Sequence, residues 1–342
     1  MSKKNSNVLK NFFKNSYQFL EIYNHFKKKI KNIKSKKFLV AVSGGPDSLA
    51  LVALSQAYSF ETKAAFNYLL VDHNLRASSA KEAKTVKKIL KKHDVELNIV
   101  RNKLKINSNI QKNARDIRYK ILSHYCKKKE IKLIITAHNL DDQVETFFIR
   151  LSRGSGLTGL SSMSTLNRLS KNISVFRPLL DVEKKSLVYI SKKIFGKYIK
   201  DPSNKDTKYF RTKVRNLKKP LKDSGIEYSQ IIKSIKNLAS SKATLDNFIN
   251  KILKENVNLS KKEVTIKFAK FNEFNDEIKI RIINHSIKIL KHNYYNPRAK
   301  KVTKLIKNLE KKNFKSSTLG GCIISKKNRI LTFRSEKNVK NS

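Results

Sequence analysis

The sequence predicts a doubly wound parallel α/β sheet domain followed by a second, mostly helical domain that ends in a small hairpin. Three observations carry this. Strand and helix patterns alternate from residue 37 to residue 195, the order that builds a parallel sheet with helices on both faces. An apolar run, Phe38-Leu39-Val40-Ala41-Val42, meets a Gly-Gly turn and then a second apolar run, Leu49 to Leu54. After Asp201-Pro202-Ser203-Asn204 the alternation stops, and long basic and apolar-striped helical segments take over.

In order along the chain, residues 8–33 place Phe12, Phe13, Phe19, Leu20, Tyr23, Phe26 and Ile30 near helical spacing. They form an amphipathic helix packed on the body of the protein. Strands are expected at 37–42, 64–71, 96–100, 132–137 and 174–179, with helices near 47–58, 79–93, 108–128, 140–152 and 183–195. A basic helix at 206–219 leads to Pro220, and apolar stripes mark helices at 227–256 and 275–292. A basic helix at 299–311 follows, then Gly320-Gly321 and two alternating runs, 321–325 and 329–334, which read as a hairpin. Residues 335–342 read as a frayed end. The domain reading is therefore 1–34 as a helical extension, 35–222 as the α/β domain and 223–342 as the helical domain.

The chain has 342 residues, 76 Lys plus Arg and 26 Asp plus Glu, a formal charge of +50. A charge this large points to a polyanion partner. Lys is the default surface residue here, so Arg is the sharper signal. Nine of the 14 arginines lie between Arg101 and Arg215, where a planar, forked donor suits phosphate. No apolar run approaches the roughly 20 residues of a membrane span, and the N-terminus lacks a secretory pattern. Cys126 and Cys322 form no redox or metal pair, which suits a reducing cytoplasm.

The string Ser43-Gly44-Gly45-Pro46-Asp47-Ser48 joins the first strand to the first helix of the alternation. Two glycines allow a sharp bend and close approach of backbone N–H groups. Pro46 suits the first helical turn. The helix N-terminus favours an anion of phosphate size, the serines add hydroxyls, and Asp47 is a carboxylate able to hold Mg²⁺. It is not a Walker A loop, because no Gly-Lys-Ser/Thr follows. The second strand ends in Asp72-His73-Asn74-Leu75-Arg76, where a base or ribose would lie. The fourth ends in Ala137-His138-Asn139-Leu140-Asp141-Asp142-Gln143-Val144-Glu145-Thr146. Asp142 and Glu145 share a helix face, placing a carboxylate pair for an ammonium group or Mg²⁺. With a single His there, a zinc site is excluded as the working reading. Arg115 and Arg118 also share a face, and Arg150 and Arg153 lead a flexible segment with Gly154, Gly156 and Gly159.

The Ser43–Ser48 string resembles the PP-loop of ATP pyrophosphatases, a Rossmann-like fold. Joined to Asp72–Arg76, Asn113–Tyr119, Ala137–Thr146, Arg153–Leu160, Arg177-Pro178-Leu179-Leu180 and Asp201–Arg215, in this order, it resembles the tRNA(Ile)-lysidine synthase family over about residues 35–220. The resemblance implies ATP and Mg²⁺ as cofactors, free L-lysine as substrate and, as partner, the isoleucine tRNA with a CAU anticodon. It implies adenylation of C2–O of the wobble cytidine and attack by the lysine ε-amine, giving lysidine, AMP and pyrophosphate. It implies phosphate contacts from Ser43, Gly44, Gly45, Pro46, Asp47 and Ser48, nucleotide contacts from Asp72 and His73, and Mg²⁺ at Asp47 and Asp142. Catalytic roles fall to Asp47, Arg115, His138, Asp142 and Glu145, with Arg118, Arg211 and Arg215 on ATP phosphate or RNA. The helical domain would grip the RNA. A homodimer is compatible with the sequence, which leaves the oligomeric state open. Two positions depart from the family pattern: Asn139 stands where His is usual, and Thr212 where Asn is usual.

Overall fold

The computed structural model describes residues 16–104, 106, 108–200, 202, 206, 208, 210–260, 262–291 and 297–336. The chain divides into two compact units, Met1–Ala239 and Ser240–Ser342.

The first unit runs α1 (Tyr17–Lys31), β1 (Lys37–Val42), α2 (Pro46–Glu61), β2 (Ala65–Asp72), α3 (Ser79–Lys91), β3 (Leu97–Arg101), α4 (Ile110–Lys128), β4 (Leu133–Ile135), α5 (Leu140–Leu151), α6 (Leu157–Leu160), β5 (Leu166–Arg168), β6 (Ser174–Phe176), α7 (Lys184–Phe195), α8 (Phe210–Asn216) and α9 (Lys218–Asp223). The long helix α10 (Tyr228–Asn256) contains the division between the units. Composition alone suggested a boundary at 222–223.

The sheet order is β3-β2-β1-β4-β6-β5, parallel except for β5, which pairs antiparallel with β6. From β1 the chain moves outward to β2 and β3, then returns to β4 on the other side of β1. The crevice where the order reverses, between the carboxyl ends of β1 and β4, is where such sheets bind ligands. Helix α2 has no polar face: every residue from Ser48 to Tyr58 is buried, as expected of a helix covered on all sides. Its core also takes Phe19, Tyr23, Phe26 and Ile30 of α1 and Leu187 and Ile190 of α7. Burying a Phe such as Phe26 contributes about 2–3 kcal/mol. The expected N-terminal helix is thus present from Tyr17; its part before residue 16 lies outside the described residues.

Some details differ from the sequence pattern. Strand β4 stops at Ile135, because Thr136 and the residues after it turn to build the site. The basic segment 206–219 is broken: α8 ends at Asn216, and Pro220 sits in the first turn of α9, where its missing N–H costs nothing. The turn expected at 201–204 lies mostly outside the described residues.

The second unit adds β7 (Val257–Leu259), β8 (Glu263–Lys267), α11 (Phe268–Glu273), α12 (Asp276–Leu290), α13 (Ala299–Leu309), β9 (Ser316–Leu319), β10 (Cys322–Lys327) and β11 (Ile330–Ser335). The expected hairpin is β10–β11, and it is the centre of a five-stranded antiparallel sheet, β7-β8-β11-β10-β9. Its apolar face, with Val264, Ile266, Ile324, Leu331 and Phe333, packs on Ile282, Ile283, Ile287, Val302 and Leu305 of α12 and α13.

Candidate active site

Beyond β1, Gly44 has φ +81, a conformation that favours glycine, and a Cβ there would lie 2.5 Å from Val86 Cγ2. Its carbonyl accepts a bond from Ile199 N at 2.9 Å. Ser48 is spent on the turn itself: its Oγ donates to Gly45 O at 2.9 Å and accepts from Ser43 N at 3.2 Å. The hydroxyl of Ser43, itself an exposed residue, donates to Ser48 Oγ at 3.2 Å. Gly45 is the N-cap of α2 and Pro46 its first residue, so α2 aims its N-terminus at the crevice.

Asp47 follows in the first turn. Its Oδ1 is buried with no hydrogen-bond partner, and its Oδ2 lies 4.0 Å from Lys184 Nζ. Burial pushes its carboxyl up to about 6; Lys184 opposes that, and Asp142 and Asp141 add to it.

Beyond β4, Asn139 caps α5. Its Oδ1 accepts from Asp142 N, and Asp142 Oδ2 accepts from Asn139 N, both at 3.1 Å. This reciprocal cap gives the departure from His at position 139 a local role. Asp142 is raised above the ordinary carboxylate range by burial, against the pull of Arg211, whose Nη2 is 3.8 Å from Oδ1. Asp141, its neighbour, points elsewhere: Lys218 Nζ reaches Oδ1 at 2.5 Å and Lys184 N reaches Oδ2 at 3.2 Å. Glu145 is 2 % exposed. Arg211 Nε donates to its Oε2 at 2.8 Å and Arg215 Nε to its Oε1 at 2.6 Å. The sequence reading placed these two arginines on phosphate; here their Nε atoms serve Glu145.

His138 Nδ1 lies 2.8 Å from Thr136 Oγ1. Burial, then the charges of Arg177, Arg118, Arg115 and Arg211, hold its imidazole well below its usual range, so it is neutral near pH 7. Arg115 and Arg118 both stack on Tyr119, at 5.1 and 5.5 Å. Beyond β2, Asp72 Oδ1 accepts from Asn74 N at 2.9 Å, and Arg101 Nε is 3.8 Å from Oδ2. His73 is also held below its usual range, chiefly by burial and by Arg118.

The fold thus brings the groups after β1, β2 and β4 to one edge of the sheet. Four buried polar atoms at that edge have no partner: Asp47 Oδ1, His73 Nδ1, Asn139 Nδ2 and Arg177 Nε. Buried polar atoms are nearly always satisfied in a folded chain, so this concentration marks a surface that a polar ligand completes. The sequence did not single out Lys184 beside Asp47, or the tie from Asp141 to Lys218; only a Lys at a helix start hinted at the first. Among the described residues no group of three or more His, Cys, Asp or Glu could cage a metal. Mg²⁺ takes one or two carboxylates and the phosphates of its partner. The orphaned Asp47 Oδ1 is a fitting first ligand. No helix among the described residues is long and apolar enough to cross a membrane.

A glycine bend after β1, an acidic first turn of α2 and a switch-point crevice define a PP-loop α/β domain, and the chain matches the PP-loop domain family model over residues 19–221. The fold agrees with the U34-tRNA thiolase NcsA from Methanococcus maripaludis, at TM-score 0.54 and 19% identity, covering 64% of this chain and 78% of that one.

The chain belongs to the tRNA(Ile)-lysidine synthase family. It is 35% identical to the tRNA(Ile)-lysidine synthase of Wolbachia pipientis wMel, across 84% of this chain and 68% of that protein. It is 36% identical to that of Orientia tsutsugamushi (strain Boryong), across 74% and 52%. For Rickettsia typhi (strain ATCC VR-144 / Wilmington) the identity is 31%, across 92% and 74%.

Proposed function

We propose that the protein is an ATP-dependent ligase that joins free lysine to C2 of the wobble cytidine in the isoleucine tRNA with a CAU anticodon. The observation that carries this reading is the polar edge: an ionisable Asp47, its Oδ1 without a hydrogen-bond partner and its Oδ2 4.0 Å from Lys184 Nζ, stands near Asp142, with arginines around His138 behind.

In the first step the cytidine C2 oxygen attacks the α-phosphorus of ATP, and the bond to pyrophosphate breaks. Ser43, the Gly44–Gly45 backbone and the N-terminus of α2 receive the phosphates. Asp47 would hold Mg²⁺, which neutralises phosphate charge when bound; Asp142, the other carboxylate the sequence offered to the metal, is left for the lysine amine. Arg115 and Arg118 stabilise the charge that builds on the leaving group. Asp72 and His73 border the base and ribose. In the second step the lysine nitrogen bonds to C2 and AMP departs with the oxygen.

The lysine amine, with an ordinary pKa of about 10.4, must first lose a proton. Of the α5 pair Asp142 is the better acceptor, since both Glu145 oxygens already accept from guanidinium nitrogens and burial raises the Asp142 carboxyl. Glu145 is locked between Arg211 and Arg215 and keeps them aimed at the crevice. His138, neutral, orients a substrate polar group by hydrogen bonding. The basic second unit binds RNA by charge and shape.

The test is direct: incubate the protein with ATP, Mg²⁺, labelled lysine and transcribed tRNAs, then digest to nucleosides. Label in a modified cytidine of the isoleucine transcript alone supports the reading. AMP release without lysine transfer sinks it.

A further inference from the structure

The glycine-bearing segment after α5 is a strap that folds back along the helix: residues 153–155 bond to the last carbonyls of α5 and residues 159–163 to its side chains, which leaves Gly156 open between them. Gln143, on the first turn of α5, uses its whole amide on the strap: Nε2 donates to Met163 O at 2.9 Å, and Oε1 accepts from Met163 N at 2.9 Å and Ser162 Oγ at 2.8 Å. Arg150, near the other end of α5, donates from Nη1 to Gly159 O at 2.6 Å and Ser162 O at 2.8 Å. Arg177 holds the next residue, donating from Nη1 to Ser164 O at 3.0 Å. Ser162 sits at φ +58, a strained conformation that these bonds sustain. Residues 159–163 therefore lie back along α5, and the tip, residues 153–156, lies at its far end.

The tip contains a glycine that the chain itself does not require. Gly156 has φ −78 and ψ −166, extended backbone open to any residue. An added Cβ there would meet nothing within 4 Å. It is the N-cap of α6, a position where serine serves at least as well. The chain has nine glycines, and three fall between 154 and 159. Gly154 (φ +65) and Gly159 (a Cβ 2.5 Å from Ser155 Cβ) have internal reasons; Gly156 has none. A glycine unexplained within the molecule marks where something outside it comes close to the backbone.

We infer that Gly156 is a contact point for the RNA substrate, and that Gln143 and Arg150 are positioning residues that hold the strap to meet it. This rests on the function proposed above. The tip lies about 18 Å along α5 from the crevice, for a helix of 12 residues. A nucleotide seated on the Ser43–Ser48 bend does not extend there, whereas an RNA with its anticodon in the crevice does. Arg153, exposed beside the tip, suits the phosphodiester backbone.

Gly156→Ser and Gln143→Leu are assayed for lysine transfer, for direct affinity to the isoleucine transcript, and for amide hydrogen exchange at Met163. For Gly156→Ser the expected result is an unchanged Tm, a KM for tRNA raised about fivefold or more, and a KM for ATP within twofold of wild type. For Gln143→Leu the Met163 amide loses protection and the same KM split appears. An unchanged KM for tRNA in Gly156→Ser, or an equal rise in the KM for ATP, overturns the contact. Met163 protection that survives Gln143→Leu overturns the latch. If the wild-type protein transfers no lysine to any transcript, the proposed function falls, and the transcript affinity of wild type against Gly156→Ser decides the strap by itself.

Discussion

Two acids at the sheet edge, Asp47 half-buried and Glu145 buried, differ in kind. Asp47, after β1, has an orphaned oxygen and a carboxyl raised to about 6. Glu145, after β4, has both oxygens filled by guanidinium nitrogens. The first is a cost carried by the ligand-free protein. The second is a finished structural element. Proximity in the site therefore does not make the two carboxylates equivalent, and their variants should separate.

The largest difference is expected in turnover. Asp47→Asn should lower lysine transfer at least 10³-fold while tRNA binding stays near wild type, measured by labelled-lysine incorporation and by transcript binding. If the variant keeps full turnover, the site assignment is wrong.

In stability the two should move in opposite directions. Glu145→Gln leaves Arg211 and Arg215 without their acid and should destabilise by about 3 kcal/mol. Asp47→Asn removes a partly buried charge that desolvation penalises more than Lys184, 4.0 Å away, favours, and should stabilise the ligand-free protein by about 2–3 kcal/mol at pH 7.5, from a shift of roughly two units. The sign follows from the raised pKa: the folded wild type takes up its proton as pH falls through 6, which relieves the buried charge. The advantage of the Asn variant should therefore shrink from pH 7 to pH 4. Denaturant midpoints at several pH values measure this, and a gap independent of pH would break the comparison.

Smaller effects concern the turns themselves. Gly44→Ala meets both a positive φ and Val86, and should cost about 1–3 kcal/mol. Asn139→Ala removes one half of the α5 cap and should cost about 1 kcal/mol. Thermal unfolding checks both, and an equal loss in the two would mean that the β1 turn carries no special strain.

Much of the first unit was legible because its signals are local. Apolar runs with glycine and proline punctuation fixed β1, α2, β2 and α5 to within a few residues. The capping acids of α5 were visible in Asp141 and Asp142, but not which of them faces the crevice: adjacent residues on a helix point about 100° apart, and partners choose the direction. The second-unit sheet was half hidden, since β7 and β9 are three and four residues long and mostly exposed. So short a strand carries too little alternation to be read.

What the sequence determined alone is the glycine bend after β1 and the order of strands and helices around it, because φ preferences and apolar periodicity act over a few neighbouring residues. What only the tertiary structure decided is the charge state of the crevice. Glu145 meets its two arginines across 66 and 70 residues of chain, and the same packing leaves Asp47 Oδ1 without a hydrogen bond and Lys184 4.0 Å from Oδ2. Electrostatics depends on distance and burial in space, and neither is written in the spacing of residues along the chain.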